Sequence, residues 1–379
     1  MVRAFAMDLF ERLETSDANL VCSPFSIAAA LAMTRNGARG TTGDEMDAVL
    51  HAPQLAELNT SMNSLISAVE DVAGEQTRAD GSTATVSVEV ANSLWGQLDR
   101  TWEPDFLDAL AVHFAAGMRL VDYEKDPTGA IDKINEWVSD RTHERIKQTV
   151  DADLIEELTA LVLVNTVYLK APWEMPFTPS LTRPHLFTRA DGSAVAVDLM
   201  TTSIRLHDAM FGSGWQAARL PYAGTTLAMT VVVPDLGELG SLAELLGADG
   251  LEQVLVGFRD DEQVKLEFPM WRLVIDLRLS QVLIGLGMAK AFQNSADLSG
   301  MSMGGPPLRL RDVVHKVFIA VDEMGTEAAA VTAVVVQAVS ARPPPRVFTV
   351  DRSFYFVIHD VVTGTPLFLG RVNDPSQEH

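Results

Sequence analysis

Few residues in this chain could do chemistry, and their spacing argues against catalysis. Cys22 is the only cysteine among 379 residues, so no intrachain disulfide can form and packing alone must hold the fold. A thiol nucleophile needs a partnered base, yet Cys22 sits in the apolar stretch Leu20-Val21-Cys22 and reads as a small core hydrophobe. A serine hydrolase calls for G-x-S-x-G, whereas Gly212-Ser213-Gly214 is only a turn-like cluster. His143-Glu144 lacks the second histidine of a zinc helix, and the eight histidines show no ligand spacing. Gly285-Leu286-Gly287 lacks a third glycine and lies inside a helical pattern, and no phosphate-cradling G-x-x-x-x-G-K is present. The expectation is no enzyme, no metal and no cofactor.

A different capacity is written in residues 323–345. Taken as a strand, one face of this stretch is Thr326, Ala328, Ala330, Thr332, Val334 and Val336. It carries no charge and nothing larger than valine, so it could enter the middle of a sheet. The other face is Glu327, Ala329, Val331, Ala333, Val335 and Gln337, polar only at its ends. Ala341-Arg342-Pro343-Pro344-Pro345 comes next, an extended tract that no central strand tolerates. In isolation the pattern also suits an ordinary buried strand ahead of a proline turn.

The elements around this stretch divide in two. Ser23-Pro24 is an N-cap followed by proline at the first helical position, opening a helix that runs to Gly37. Thr42 with Glu45 reads as a capping box for the next helix. Leu55–Val72 is helix-forming, Val86, Val88 and Val90 alternate as a strand, and helices are expected near 103–115 and 128–147. From Ala160 to Leu169 a β-branched apolar run marks a strand covered on both faces. Strand signals recur at 195–200, 215–220, 225–233, 264–268, 271–276, 313–321, 346–350, 354–360 and 366–372, with one helix at about 279–289. Helices followed by many strands predict an α+β architecture with large, mainly antiparallel sheets. No linker-like tract or internal repeat divides the chain, which favours a single domain over 1–379.

Composition narrows the partners. A formal charge of −22 repels phosphates, which disfavours nucleic acid and anionic membrane surfaces. No apolar run approaches the roughly 18–20 residues that span a bilayer, and the first residues lack a signal-peptide pattern.

Several segments, collinear over most of the chain, together resemble the serpins. They are Asn19-Leu20-Val21-Cys22-Ser23-Pro24-Phe25-Ser26-Ile27, Gly37-Ala38-Arg39-Gly40-Thr41, Ala91-Asn92-Ser93-Leu94-Trp95 and Ile134-Asn135-Glu136-Trp137-Val138. Leu163-Val164-Asn165-Thr166-Val167-Tyr168-Leu169-Lys170 leads into Trp173-Glu174-Met175-Pro176-Phe177, and then come Leu220-Pro221-Tyr222, Ala296-Asp297-Leu298-Ser299-Gly300 and His315-Lys316. Leu367-Phe368-Leu369-Gly370-Arg371-Val372, with Asn373 and Pro375, closes the match. Glu323-Met324-Gly325-Thr326-Glu327-Ala328-Ala329-Ala330-Val331-Thr332 resembles the hinge of inhibitory members, and the chain as a whole resembles prokaryotic ones.

The resemblance implies the serpin fold, about eight or nine helices, and a reactive-centre loop at about 323–345 that is exposed before it is cut. It implies a metastable inhibitor of serine proteases acting as a suicide substrate: loop cleavage, acyl-enzyme trapping, then insertion of the cut loop into the main sheet. The alternative is a non-inhibitory carrier or chaperone. Family spacing places the cut at Val339-Ser340, with Ala338 or Ala341 as alternatives, and valine there suits an elastase-like or chymotrypsin-like protease. Arg342 is a poor trypsin site because Pro343 is next to it. Ser23, Ser26, Asn165 and His315 match a cluster beneath the point where sheet strands part, and Trp173 matches the residue at the loop's entry. Gly325 should give the hinge freedom, Thr326 should be exposed before cleavage, and Glu327 should face outward once the loop inserts. Glu323 departs from the pattern, since Met270 stands where a basic partner is usual; Arg272 is the candidate substitute. No heparin dependence and a monomeric state are expected. Family resemblance favours an extracellular over a cytoplasmic setting.

Overall fold

The computed structural model describes every residue except 156–160, 203–206, 237–239, 247–249, 259–262, 303, 305, 328–345 and 378–379. Nine helices are present among the described residues: α1 (Val2–Leu13), α2 (Pro24–Arg35), α3 (Gly40–Val49), α4 (Leu55–Glu70), α5 (Pro104–Phe114), α6 (Pro127–Arg141), α7 (Leu242–Leu246), α8 (Gly250–Val256) and α9 (Ser280–Leu286). The larger sheet runs β1 (Leu20–Cys22), β17 (Thr365–Val372), β16 (Phe354–Asp360), β10 (Leu227–Pro234), β9 (Trp215–Pro221), β8 (His207–Phe211), β11 (Gln263–Pro269), β7 (Ala194–Thr201), β6 (Arg183–Thr188). A short β15 (Val347–Thr349) joins it beside β11. The second sheet runs β12 (Trp271–Arg278), β13 (Val313–Val321), β14 (Gly325–Thr326), β5 (Leu161–Pro172), β3 (Thr83–Gln97), β2 (Gly74–Thr77). Its last member, β4 (Met118–Val121), pairs with β3. This is the α+β architecture expected, with helices early and two large, mainly antiparallel sheets.

Local chemistry explains the main elements. Ser23 caps α2 by accepting from the Ser26 amide at 3.3 Å, and Pro24 sits at the first helical position. From Pro24 to Thr34 every side chain of α2 is buried, so this alanine-rich helix is a core element on all faces. The continuous apolar run of β5 is buried on both sides. Leu163, Val167, Leu169 and Ala171 face a main core shared with α2 and β10. Val162 and Val164 face a second core with Ile134 and Val138 of α6 and Phe318 of β13. Period two on β5 thus assigns each residue to one of two cores.

Several expectations are corrected. Thr42 and Glu45 form no capping box, because α3 already begins at Gly40; they accept instead from the amides of Asp297 (2.9 Å) and Lys290 (2.7 Å), fastening α3 to a distant loop. α6 ends at Arg141 rather than 147, and His143 and Glu144 turn through left-handed backbone immediately after it. More than one helix interrupts the later strands, since α7 and α8 precede α9.

Candidate functional site

The second sheet is only partly closed at its centre. β5 and β13 are parallel neighbours over five pairs, from Leu163–Val313 to Val167–Val317. Toward the other end they part, and β14 lies between them, antiparallel to both. Gly325 pairs with Pro172, and Thr326 is flanked by Ala171 and Val321. A Cβ on Gly325 would come within 2.4 Å of the Ala171 carbonyl oxygen, so glycine is required there by close packing as well as by any hinge freedom. Thr326 is fully buried, and its hydroxyl lies 2.6 Å from the Tyr222 hydroxyl. The expectation that Thr326 is exposed is therefore wrong: the chain is already in the sheet at this residue.

Glu327 is where the chain leaves. Its backbone is left-handed (φ 49°), a strained state for a non-glycine residue. The carboxylate pairs with Arg145, just beyond α6, and lies beside the Tyr168 hydroxyl. The side chain is only 11% exposed before any cleavage. Beyond this point Ala328, Ala329, Ala330, Thr332, Ala338, Val339, Ser340 and Ala341 lie outside the described residues.

The turn that leads into β14 is built around Trp173. Its indole is buried, stacks on Tyr222 at 4.7 Å, and donates from Nε1 to the Asp322 carbonyl (3.0 Å). Its own amide donates to Met324 O (2.8 Å), and Arg78 donates to its carbonyl (2.9 Å). Asp322 holds the turn by accepting from the amides of Met324 and Gly325, and burial raises its pKa. Glu323 accepts from Thr182 Oγ1 at 2.7 Å. Arg272 does not substitute for the missing basic partner; its guanidinium lies 5.0 Å over Phe318. Nothing local to Glu323 announced Thr182, a hydroxyl distant in sequence.

At the closed end the cluster read from sequence is assembled. Asn165 and His315 face each other across the parallel β5–β13 pair. His315 Nδ1 donates to Asn165 Oδ1, while His315 Nε2 accepts from the Ser23 amide at 2.9 Å. Asn165 Nδ2 donates to Ser26 Oγ and to Asn92 Oδ1, and Ser26 Oγ donates to Asn92 at 3.1 Å. One ring nitrogen donates and the other accepts, which is the pattern of a neutral imidazole. Burial pushes the His315 pKa down to about 3, against a smaller upward effect from Asn165. Asn92, on β3 in register with Asn165, belongs to the cluster; its run Ala91–Trp95 was legible in the sequence, its place beside Asn165 was not. Cys22 is buried and burial pushes its thiol far up, so it offers no thiolate.

A short strand thus lies between β5 and β13 at one end of the seam, and a polar cluster bridges it at the other.

Comparisons with known proteins place these features. The family profile described as serpin (serine protease inhibitor) matches residues 1–375. A serpin-like protein of Thermococcus kodakarensis is 35% identical, covering 99% of this chain and 85% of that protein. A protein of Xenopus tropicalis named leukocyte elastase inhibitor is 30% identical, covering 98% of this chain and 97% of its own. The crystal structure of Serpin48 from the insect Tenebrio molitor superposes with a TM-score of 0.84 at 27% identity, covering 98% of this chain and 96% of that one.

Proposed function

Because this chain belongs to the serpin family, we propose that it inhibits a serine protease as a suicide substrate, acting as one monomeric domain over 1–379. The observation that carries this reading is the register of the hinge. Thr326 pairs with Ala171, and ten further steps carry β5 back to its first residue, Leu161, and the loop on to Val336. The uncharged face of small side chains that starts at Thr326 runs past Val336 to Ser340, and Arg342 is its first charged residue. Thus the small-residue run is long enough to fill the slot to its end.

The register also says what each step must displace. Six steps beyond Thr326, Thr332 would come level with Asn165 on one side and His315 on the other. Insertion would break the His315–Asn165 hydrogen bond and bring a hydroxyl to the same place, able to donate and accept. One parallel ladder would be exchanged for two antiparallel ones, which are slightly more stable per residue. Small side chains facing the main core and valines facing α6 would both be buried. The uncut form is then held by kinetics rather than by equilibrium.

In this mechanism the protease's serine oxygen bonds to the carbonyl carbon of Val339, and the bond to the Ser340 nitrogen breaks. The freed strand enters the slot from its open end. The ten steps from Thr326 to Val336, at about 3.3 Å each, draw the ester-linked enzyme along about 33 Å of sheet. Ala338 and Ala341 remain as alternative cut positions, and valine favours an elastase-like or chymotrypsin-like protease. The test is incubation with a panel of chymotrypsin-fold proteases followed by a denaturing gel. A band at the summed mass that survives boiling supports inhibition; loop cleavage with every enzyme and no such band contradicts it.

A further inference from the structure

The segment that follows α6 is fastened to both sides of the seam. On the β13 side, Arg145 lies 5.7 Å over the Phe318 ring, and the Gln148 carbonyl accepts from Lys316 Nζ. On the other side, His143 Nε2 lies 2.8 Å from a Glu89 oxygen, and its ring packs on Tyr168 with centroids 4.6 Å apart. Glu89 and Tyr168 are register partners across β3 and β5. Left-handed backbone at His143 and Glu144, φ 48° and 61°, turns the chain sharply between α6 and this contact.

This tie stands over the part of the slot that an entering strand would fill first. Thr326 pairs with Ala171, so three steps further on the loop would come level with Tyr168. Neighbouring strands lie about 4.8 Å apart, and a strand placed between β5 and β13 adds one such spacing to their separation. The two fastenings are then drawn apart. The His143 side chain is 53% exposed against 17% for Lys316, so His143 is the one placed to let go.

Charge sets how firmly it holds. Histidine is the side chain that ordinarily changes charge between about pH 5 and 8. The groups that face His143 are Glu89 from β3 and Tyr168 from β5, with Asp140, Arg141, Glu144 and Arg145 on its own segment. Arg145 is paired with Glu327. Burial first, and then Glu327, push the Tyr168 hydroxyl up to about 12, so it stays neutral across that range. A proton taken up by the imidazole therefore adds charge attraction to the contact with Glu89.

We propose that His143 is a positioning residue for insertion: it ties the segment past α6 to the β3–β5 side of the seam, and the tie tightens with protonation, so that the seam parts more slowly as pH falls from 8 to 6. The proposal rests on the insertion reading, and its test uses no protease.

The test is annealing of an acetylated and amidated peptide of residues 326–336 into the intact protein, followed as a rise in melting temperature with time. The parent should anneal about threefold more slowly at pH 6 than at pH 8. His143→Asn, which tolerates left-handed backbone, should anneal faster than the parent at pH 6 and lose the pH dependence. Glu89→Gln, which keeps a hydrogen-bonding group without the charge, should lose it as well. His51→Asn is the matched control, since His51 is also left-handed and lies 2.7 Å from a carboxylate, that of Asp8; it should behave as the parent. Amide exchange of residues 142–150, corrected for the intrinsic effect of pH, gives a second reading on the protein alone. At pH 6 it should be about threefold faster in His143→Asn than in the parent. Equal annealing of the parent at the two pH values, a pH dependence kept in His143→Asn, or equal exchange in the two proteins would overturn the proposal. A peptide that anneals to none of these proteins would contradict the insertion reading, and the exchange comparison would still decide the tie.

Discussion

Thr326 and Thr332 have the same side chain and, on this reading, opposite positions before cleavage. Thr326 is already buried between β5 and β13, so Thr326→Arg should lower the stability of the uncut protein by about 3 kcal/mol or more, as a buried cation without a partner does. Thr332→Arg should leave uncut stability unchanged and turn the inhibitor into a substrate that is cut and releases active protease. Unfolding curves and complex formation on gels separate the two, and equal behaviour would contradict the register. His315 adds a pH dependence. Its folded pKa, about 3, lies below the ordinary value of 6.5. The unfolded chain therefore binds the extra proton, and stability present above pH 6.5 is lost as pH falls toward 3. His315→Gln should remove about one proton from that slope, up to about 1.4 kcal/mol per pH unit, read from denaturation between pH 4 and 7. Ser23, Ser26, Asn165 and His315 were legible through their motifs because each sits in a distinctive run. Thr182 was not, since a hydroxyl meeting Glu323 across the fold leaves no local pattern.

The seam between β5 and β13 is covered by the segment just past the end of α6. Ile146, Val150 and Leu154 join the second core over Val164 and Phe318, and Arg145 ties this segment to Glu327. A strand entering the seam from the main-core register must present its other face to this cover, so the segment has to shift as the strand advances. Arg145→Gln unties it and should speed insertion about threefold to fivefold, given about 1 kcal/mol for a partly exposed pair. Complex formation timed against a fixed protease checks this; a slower rate would mean that the pair assists insertion. The long elements were readable because β5, β13 and β17 are mostly apolar runs with many residues to average over. The short ones were not: β1, β2, β4 and β14 are two to four residues long, too few to show a period. For the same reason, sequence alone could not say whether the strand-competent run begins inside the sheet or outside it. Packing around Gly325 decides that, and packing is not a local property.

At the scale of the whole molecule, charge and metastability set the remaining behaviour. The stretch 54–80 carries Glu57, Glu70, Asp71, Glu75 and Asp80 against Arg78. Arg78 is itself buried and committed to Trp173, so no basic surface is left there for a polyanion. Heparin should not accelerate inhibition at physiological salt, and a tenfold increase would contradict this. Inhibition by insertion requires above all that residues 326–336 have an unoccupied place in the sheet. Scanning calorimetry before and after limited proteolysis within 335–342 tests that requirement most directly. A nick in an ordinary loop leaves the melting temperature unchanged or lower, because it frees the unfolded chain without adding contacts. On the insertion reading the cut would release a strand into the sheet, and the midpoint should rise by about 10 °C or more. An unchanged or lower midpoint would contradict insertion and, with it, the inhibitor reading.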